Sequence, residues 1–202
     1  MILDIAERSF LERGYAATAM STIAAELGGS KTTLWSHFPS KEALFAAVVE
    51  NKVTHFAVAL DEALIPSGGT RAALRRFGRI FLAKVLTEDS RALRRLIGAE
   101  GERFPEMASA FYERGPGRVR TRLARYLREE MAGGRLRAGN AEVAARQFLA
   151  LCQAGAFADA TWHRPSDTAA DPEADVRQAV ETFLRAWAAP SPAAPPACNA
   201  DA

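Results

Sequence analysis

The sequence predicts an all-α fold. A three-helix N-terminal unit containing a helix-turn-helix precedes a larger antiparallel helical domain, with about ten helices in all. Three observations lead there. Apolar residues recur at helical spacing through most of the chain. No stretch alternates apolar and polar residues with the β-branched enrichment of a strand. Glycine, proline and helix-capping residues divide the periodic pattern into helix-sized pieces.

The first helix runs from about Ile2 to Arg13, with Leu3, Ala6 and Phe10 on its inner face. Gly14 follows its end, where a left-handed conformation suits glycine. The second covers about Met20 to Leu27 and turns inward Ile23, Ala24 and Leu27. Gly28-Gly29 make the turn, and Ser30 caps the third helix, about Lys31 to Phe38. Pro39 stops that helix and Ser40 caps the fourth. The stripe Phe45, Val49, Val53, Phe56, Leu60, Leu64 carries the fourth helix to Pro66. Its length of roughly 35 Å is enough to join two domains.

The fifth helix (about 71–87) buries Leu74, Phe77, Phe81 and Val85, and the sixth spans about 90–101. Phe104-Pro105 opens a seventh, which ends at Gly115-Pro116-Gly117. The eighth runs to Met131 before Gly133-Gly134. A ninth is expected to run unbroken from the Asn140 cap to about Trp162. Asp171-Pro172 opens the tenth, ending near Ala188. The Ala/Pro tail 189–202 has no face to bury and is expected to be disordered.

Composition narrows the function. Of 202 residues, 49% are hydrophobic, so a real core is available. No apolar run approaches the ~18 residues of a membrane span. Met1-Ile2-Leu3-Asp4 lacks the basic start of a signal peptide, and a soluble cytoplasmic protein with no membrane partner is expected. Cys152 and Cys198 are far apart, and His37, His55 and His163 form no ligand pair, so neither metal nor cofactor is expected. Cys152, in an apolar run, reads as a small buried hydrophobe.

The net charge of +2 is unevenly spread. The first 52 residues are slightly acidic, 71–137 hold most of the arginines, and 138–202 are acidic. Without interleaved exposed aromatics, the basic middle reads as a solvated helical surface rather than a nucleic-acid face.

On the third helix Leu34 and Phe38 are four apart and point inward, which turns Thr32 and Ser36 outward with Thr33 and Trp35 on the flanks. A small, hydroxyl-rich face suits a major groove; a solvated helix is the alternative on this pattern alone. Ile2-Leu3-Asp4 through Phe10, Arg13-Gly14-Tyr15, Thr18, Ile23-Ala24 and Ser30-Lys31-x-Thr33-Leu34-Trp35-x-His37-Phe38-x-Ser40-Lys41-Glu42-x-Leu44 resemble the DNA-binding domain of TetR-family regulators. The resemblance is nearly continuous over about 45 residues. It implies a three-helix reading head, a homodimer, a palindromic operator on double-stranded DNA, and release or re-setting by a small-molecule effector.

Carried over by position, Lys31, Thr32 and Thr33 take base-reading or groove-edge places. Trp35, His37 and Lys41 take phosphate-side places, Ser36 shares the outward face, and Ser21 starts the helix that approaches the backbone. A cation at Lys41, in a first helical turn, is slightly unfavourable for the helix and would be offset by an arriving phosphate. The chain departs from the family at Trp35, where tyrosine is usual, and at Gly29, where an apolar residue is usual. Family members also carry a basic stretch before the first helix, where this chain begins. With a slightly acidic reading head, weak unspecific attraction to phosphate is expected.

Gly101-Glu102-Arg103-Phe104-Pro105-Glu106-Met107 and Ala110-Phe111-Tyr112-Glu113-x-Gly115-Pro116 resemble the regulatory domain of the AefR-like subgroup. The expected organisation is residues 1–48 for reading DNA, 49–188 for ligand binding and dimerisation, and the tail. Phe56, Phe77, Phe81, Phe104, Phe111 and Phe148, with Met107, are expected to enclose an apolar or aromatic effector, and Arg103 nearby gives it an anionic bias. Phe148, Cys152, Gly155, Ala156, Val180, Phe183, Leu184 and Trp187 on the last two helices are expected to form the dimer interface. The bland alternative is that both stripes close the monomer core.

The function so implied is a sequence-specific transcriptional regulator, expected to repress under control of the effector. A DNA-binding regulator without a ligand, acting architecturally or through a protein partner, is the alternative. An enzyme is not expected: Gly28-Gly29-Ser30-Lys31-Thr32 lacks the first spaced glycine and preceding strand of a phosphate loop. Glu100, Glu102 and Glu106 have no histidine or metal spacing beside them.

Overall fold

The structure is a computed structural model describing residues 1–28, 31–65, 67–162 and 171–189, without the side chains of residues 31–33 and 55. Expectations that rest on Gly29, Ser30, Pro66, His163, Cys198 or the tail 190–202 lie outside the described residues, as do those on the side chains of Lys31, Thr32, Thr33 and His55. Among the described residues there are eleven helices. These are α1 (Ile2–Arg13), α2 (Met20–Glu26), α3 (Lys31–His37), α4 (Lys41–Ala63), α5 (Gly69–Val85), α6 (Glu88–Glu100), α7 (Pro105–Arg114), α8 (Pro116–Ala132), α9 (Ala141–Cys152), α10 (Ala156–Thr161) and α11 (Pro172–Trp187). The one extended pairing among them is a bridge between Leu136 and Ala188.

Local side-chain hydrogen bonds set the starts of α4, α6, α9 and α11. Ser40 accepts from the Ala43 amide at 3.1 Å, Asn140 from Glu142 and Val143, and Asp171 from Glu173 at 3.0 Å. Thr87 accepts from Ser90 N, so α6 begins at Glu88, two residues before the expected start. The expected unbroken ninth helix is two. Gln153 through Gly155 break it, and α10 restarts at Ala156, whose amide donates to the Asp175 carboxylate of α11 at 2.7 Å. Asp175 supplies from another helix the acceptor that the break would otherwise leave missing. A Cβ on Gly155 would collide with that same carboxylate, so glycine permits the close approach of α11.

Two buried clusters organise the chain. One joins the end of α4 to α5, α8, α9 and α11. Its rings form a chain from Phe77 to Phe148 (6.3 Å), Phe183 (5.3 Å) and Trp187 (6.2 Å). The other holds α1 to α4 around Phe10, Tyr15 and Phe45, whose centroids lie 5.4–5.5 Å apart. Leu93 and Leu96 of α6 and Met107 of α7 belong to this second cluster, so the reading head is seated on the body through shared core. Each fully buried ring or leucine contributes about 1.5–3 kcal/mol of transfer free energy.

The basic middle of the chain is answered from its acidic ends. Arg114 and Arg118 reach Glu50, Arg122 and Arg125 reach Asp61, Arg71 and Arg75 reach Glu181, and Arg79 reaches Glu173. Neighbouring cations hold Glu50, Glu181 and Glu173 below the usual carboxylate range, led in each case by an arginine hydrogen bond.

Candidate nucleic-acid interface and interior cavity

Leu34 is buried on the inner side of α3 while Trp35, Ser36 and His37 are exposed, with Trp35 46% accessible. Ser21, at the start of α2, is exposed as well. Ser21, Trp35 and Lys41 line one shallow recess where α2, α3 and the start of α4 converge. His37 lies on another flank, in a recess shared with Ile2 and Leu3. The expected phosphate-side residues are thus brought together in part, as a trio with His37 apart from it.

Lys41 is half-buried, and its ammonium is already engaged. It donates to the Tyr15 carbonyl at 2.7 Å and sits 4.4 Å from the Tyr15 ring centre. An ammonium has three donors, so the others remain for an anion in the recess. Beneath it, burial pushes the Tyr15 phenol above its usual range, helped by the charge and hydrogen bond of Glu42.

Two contacts tie the head to the body. Glu100, at the end of α6, accepts the amides of Tyr15 (2.8 Å) and Ala16 (2.7 Å) in the turn after α1. Gly14 precedes them at φ +84°, and a Cβ there would come within 2.7 Å of the Glu100 carboxylate. Lys52 of α4 bridges Glu7 of α1 (2.6 Å) and Asp89 of α6 (2.7 Å). Burial pulls the Lys52 amine down, but its hydrogen bonds to Asp89 and Glu7 outweigh that and leave it raised. Neither contact was foreseen, because both join residues remote in the chain.

Behind the head lies a cavity of about 210 Å³. Its walls are Val49, Val53 and Phe56 of α4, Phe81 and Val85 of α5, Leu93 of α6, Phe111 of α7, Val119 of α8 and Leu149 of α9. Lys52, Lys84, Ser90, Arg94 and Gln153 are its polar members. Of the residues expected to enclose a ligand, Phe56, Phe81 and Phe111 line it. Phe77 and Phe148 do not; both are fully buried in the body core, with no surface left to present. Phe104, Met107 and Arg103 sit at the seam instead. The Phe104 ring lies 5.1 Å from Tyr15, Met107 is buried in the head cluster, and Arg103 lies over Phe104 at 5.3 Å. The cationic side of the cavity comes from Lys52, Lys84 and Arg94. Arg94 had a sequence signal: it shares the stripe Ser90, Leu93, Ile97, an apolar face that a solvated arginine would avoid.

The residues expected at a dimer interface are largely spent within the monomer. Phe148, Cys152, Val180, Phe183 and Trp187 are buried in the body core and Ala156 is buried at the start of α10. Leu184 is half-buried against that core, and Gly155 faces Asp175. Here the bland alternative describes those stripes. The outer faces of α9 and α11 carry exposed Ala150 and Ala186 with half-buried Leu151 and Leu184. Burial, with a smaller contribution from Asp175, pushes the Cys152 thiol up to about 12, so it is inert at neutral pH. Among the described residues no group of three or more His, Cys, Asp or Glu is arranged to hold a metal. No single helix there is long and apolar enough to cross a membrane.

A helix-turn-helix seated on a helical body, here one with a partly open apolar cavity, is the architecture of a DNA-binding transcriptional regulator. Residues 2–48 match the family of bacterial regulatory proteins of the tetR type, and residues 72–189 match the C-terminal domain of AefR-like transcriptional repressors. The chain belongs to the TetR family of transcriptional regulators, with a C-terminal domain of the AefR-like type. Regulators of this family are non-enzymatic, bind DNA operators and act as dimers.

A TetR-family regulator from Mesorhizobium loti MAFF303099 is similar at 27% identity and TM-score 0.78, covering 93% of this chain and 95% of that one. The flavonoid-responsive regulator FrrA is similar at 34% identity and TM-score 0.77, covering 93% and 97%. The transcriptional activator FasR from Mycolicibacterium smegmatis (strain ATCC 700084 / mc(2)155) is 31% identical over 108 residues, 54% of this chain. The chain thus spans about half, 49%, of the length of that curated relative.

Proposed function

We propose that this protein represses transcription by binding a palindromic operator as a homodimer, and that a small apolar or aromatic effector in the interior cavity controls it. One observation carries the reading: Lys52 lines the cavity and at the same time holds Glu7 of α1 and Asp89 of α6. α4 bears the reading head at one end and the cavity wall at its middle. An occupant that re-seats α4 or draws on Lys52 therefore changes how the head sits on the body, and in a dimer it changes the spacing of the two α3 helices. It does so only if it binds the two seatings with different affinity. FrrA, whose name records a response to flavonoids, supports an aromatic effector, and the AefR-like description supports repression, although FasR is an activator.

Residues 1–48 act as the reading head, with Ser21, Lys31, Thr32, Thr33, Trp35, Ser36, His37 and Lys41 toward DNA. Residues 49–188 form the effector and dimerisation domain, the dimer using the outer faces of α9 and α11. The operator spans roughly 15–20 base pairs, with half-sites about one helical turn apart. Selection from random duplexes followed by fluorescence anisotropy tests the reading. Recovery of a two-fold symmetric site bound at two protomers per duplex supports it, and no sequence preference overturns it. A promoter reporter carrying that site, compared with and without the protein, decides between repression and activation.

A further inference from the structure

We propose that the effector is an amphiphilic monoanion, an aryl or acyl acid whose apolar body fills the cavity and whose negative group is taken by Arg94 with Lys84. The inference rests on the effector reading above and adds the charge of the ligand and the residues that select it.

Among the described residues the cavity wall is mostly apolar and holds three cations, Lys52, Lys84 and Arg94, and no carboxylate. Lys52 is already committed to Glu7 and Asp89. Lys84 makes no ion pair among the described residues, although its charge helps hold the Asp89 carboxyl low. Arg94 stands out most clearly. Its helix neighbours Arg91 and Arg95 both reach Glu88, and on α5 and α8 Arg71, Arg79, Arg118 and Arg122 find acidic partners, while Arg76 is held by backbone carbonyls. Arg94 has none among the described residues; its guanidinium lies 4.5 Å from the Phe157 ring centre. Part of the side chain is exposed, yet loss of water around its head lowers its pKa from the usual arginine value, with no carboxylate to offset this.

A partly exposed guanidinium that lines an apolar wall without an anion beside it is a site that an anion improves, because charge-assisted and bidentate contacts are the stronger ones. A cationic ligand meets the like charges of Lys84 and Arg94. A neutral apolar one strips more water from Arg94 and returns nothing. A polyanion finds too little unpaired positive charge and too much apolar wall. A single negative group on an apolar body satisfies both parts of the surface.

Two dyes with one apolar skeleton separate the alternatives: the anion 1-anilinonaphthalene-8-sulfonate and neutral N-phenyl-1-naphthylamine. Fluorescence titration of the full chain is expected to show the sulfonate binding about ten-fold tighter or more. Arg94→Gln should bring the two to within about three-fold, Lys84→Gln should act in the same direction, and Arg94→Lys should retain part of the preference. Arg94 is surface-accessible, so these variants keep the fold, which circular dichroism checks. Equal binding of both dyes with no response to Arg94→Gln overturns the anion inference and leaves the cavity reading standing. Failure of both dyes to bind the wild type overturns both readings. Undiminished binding to folded Val85→Trp or Val53→Trp, either of which fills the cavity, also overturns both.

Discussion

At the residue scale, Glu100 does what a capping residue does, but from another helix. Its carboxylate takes two amides of the turn after α1, and Gly14 leaves room for it. Hydrogen bonds to a charged acceptor are worth about 1.5–3 kcal/mol each before solvent exposure weakens them. Glu100→Ala is therefore expected to destabilise by about 1–3 kcal/mol in urea denaturation. Gly14→Ala should cost a comparable amount, because φ +84° disfavours a Cβ and the added atom meets the carboxylate. Equal stability of either variant and wild type would show that the turn holds itself. Lys41→Ala should weaken all DNA sequences alike and flatten the salt dependence seen by anisotropy. Because Lys41 also holds the Tyr15 carbonyl, the same change should lower the melting temperature, whereas a purely phosphate-facing lysine would leave it unmoved. Of these roles the sequence offered only an expectation, that of Lys41 toward phosphate. Glu100 and Tyr15 are 85 residues apart, and nothing local marks such a pair.

At the scale of elements, the helix starts were legible because caps act within three residues, as at Ser40, Asn140 and Asp171. The break between α9 and α10 was not, because its stabilising group, Asp175, comes from α11. The same limit divided the aromatic set. Periodicity places Phe56, Phe77, Phe81 and Phe148 on inner faces, but only the angles between helices decide which rings border a cavity and which close a core. The junction of α1, α4 and α6 at Lys52 has a pH signature. The hydrogen bond and charge of Lys52 hold the Asp89 carboxyl low. Its contribution is full above the ordinary value near 4 and is lost as pH falls through the folded value. Lys52 is raised, so its contribution is full below about 10 and is lost as pH rises through its folded value. Hydrogen exchange in α1 and α6 is therefore expected to stay well protected from about pH 5 to 9, after correction for intrinsic rates, and to weaken below about 4. Lys52→Met should lower protection throughout that window. Unchanged protection in the variant would mean the bridge does not hold the junction.

At the scale of the molecule, the chain's uneven charge becomes an internal pairing scheme, basic middle against acidic ends. That resolves most of the arginine-rich stretch as structural; of Arg76, Arg94, Arg103 and Arg137, which have no carboxylate partner among the described residues, Arg94 is the one that lines the cavity. The family was legible from the first 45 or so residues, where motif positions are fixed by local geometry, and the helical architecture from apolar spacing and helix breakers along the chain. A dimer face could not be told from the monomer core in the sequence, because the stripes with the most apolar residues on α9 and α11 are those the monomer consumes. The proposed dimer uses what remains outside. Light scattering is expected to give a dimer at micromolar concentration, and Ala150→Arg with Ala186→Arg should split it without unfolding it. A dimer untouched by both changes would place the interface elsewhere. The central claim is that cavity occupancy re-seats the reading head. The most direct measurement is anisotropy of the selected palindromic duplex, titrated with the protein alone and with the protein saturated by the aromatic acid that most raises its melting temperature. A shift in operator affinity of about ten-fold or more, abolished in folded Val85→Trp, is the predicted result. A compound that stabilises the protein through the cavity while leaving operator affinity unchanged would contradict it.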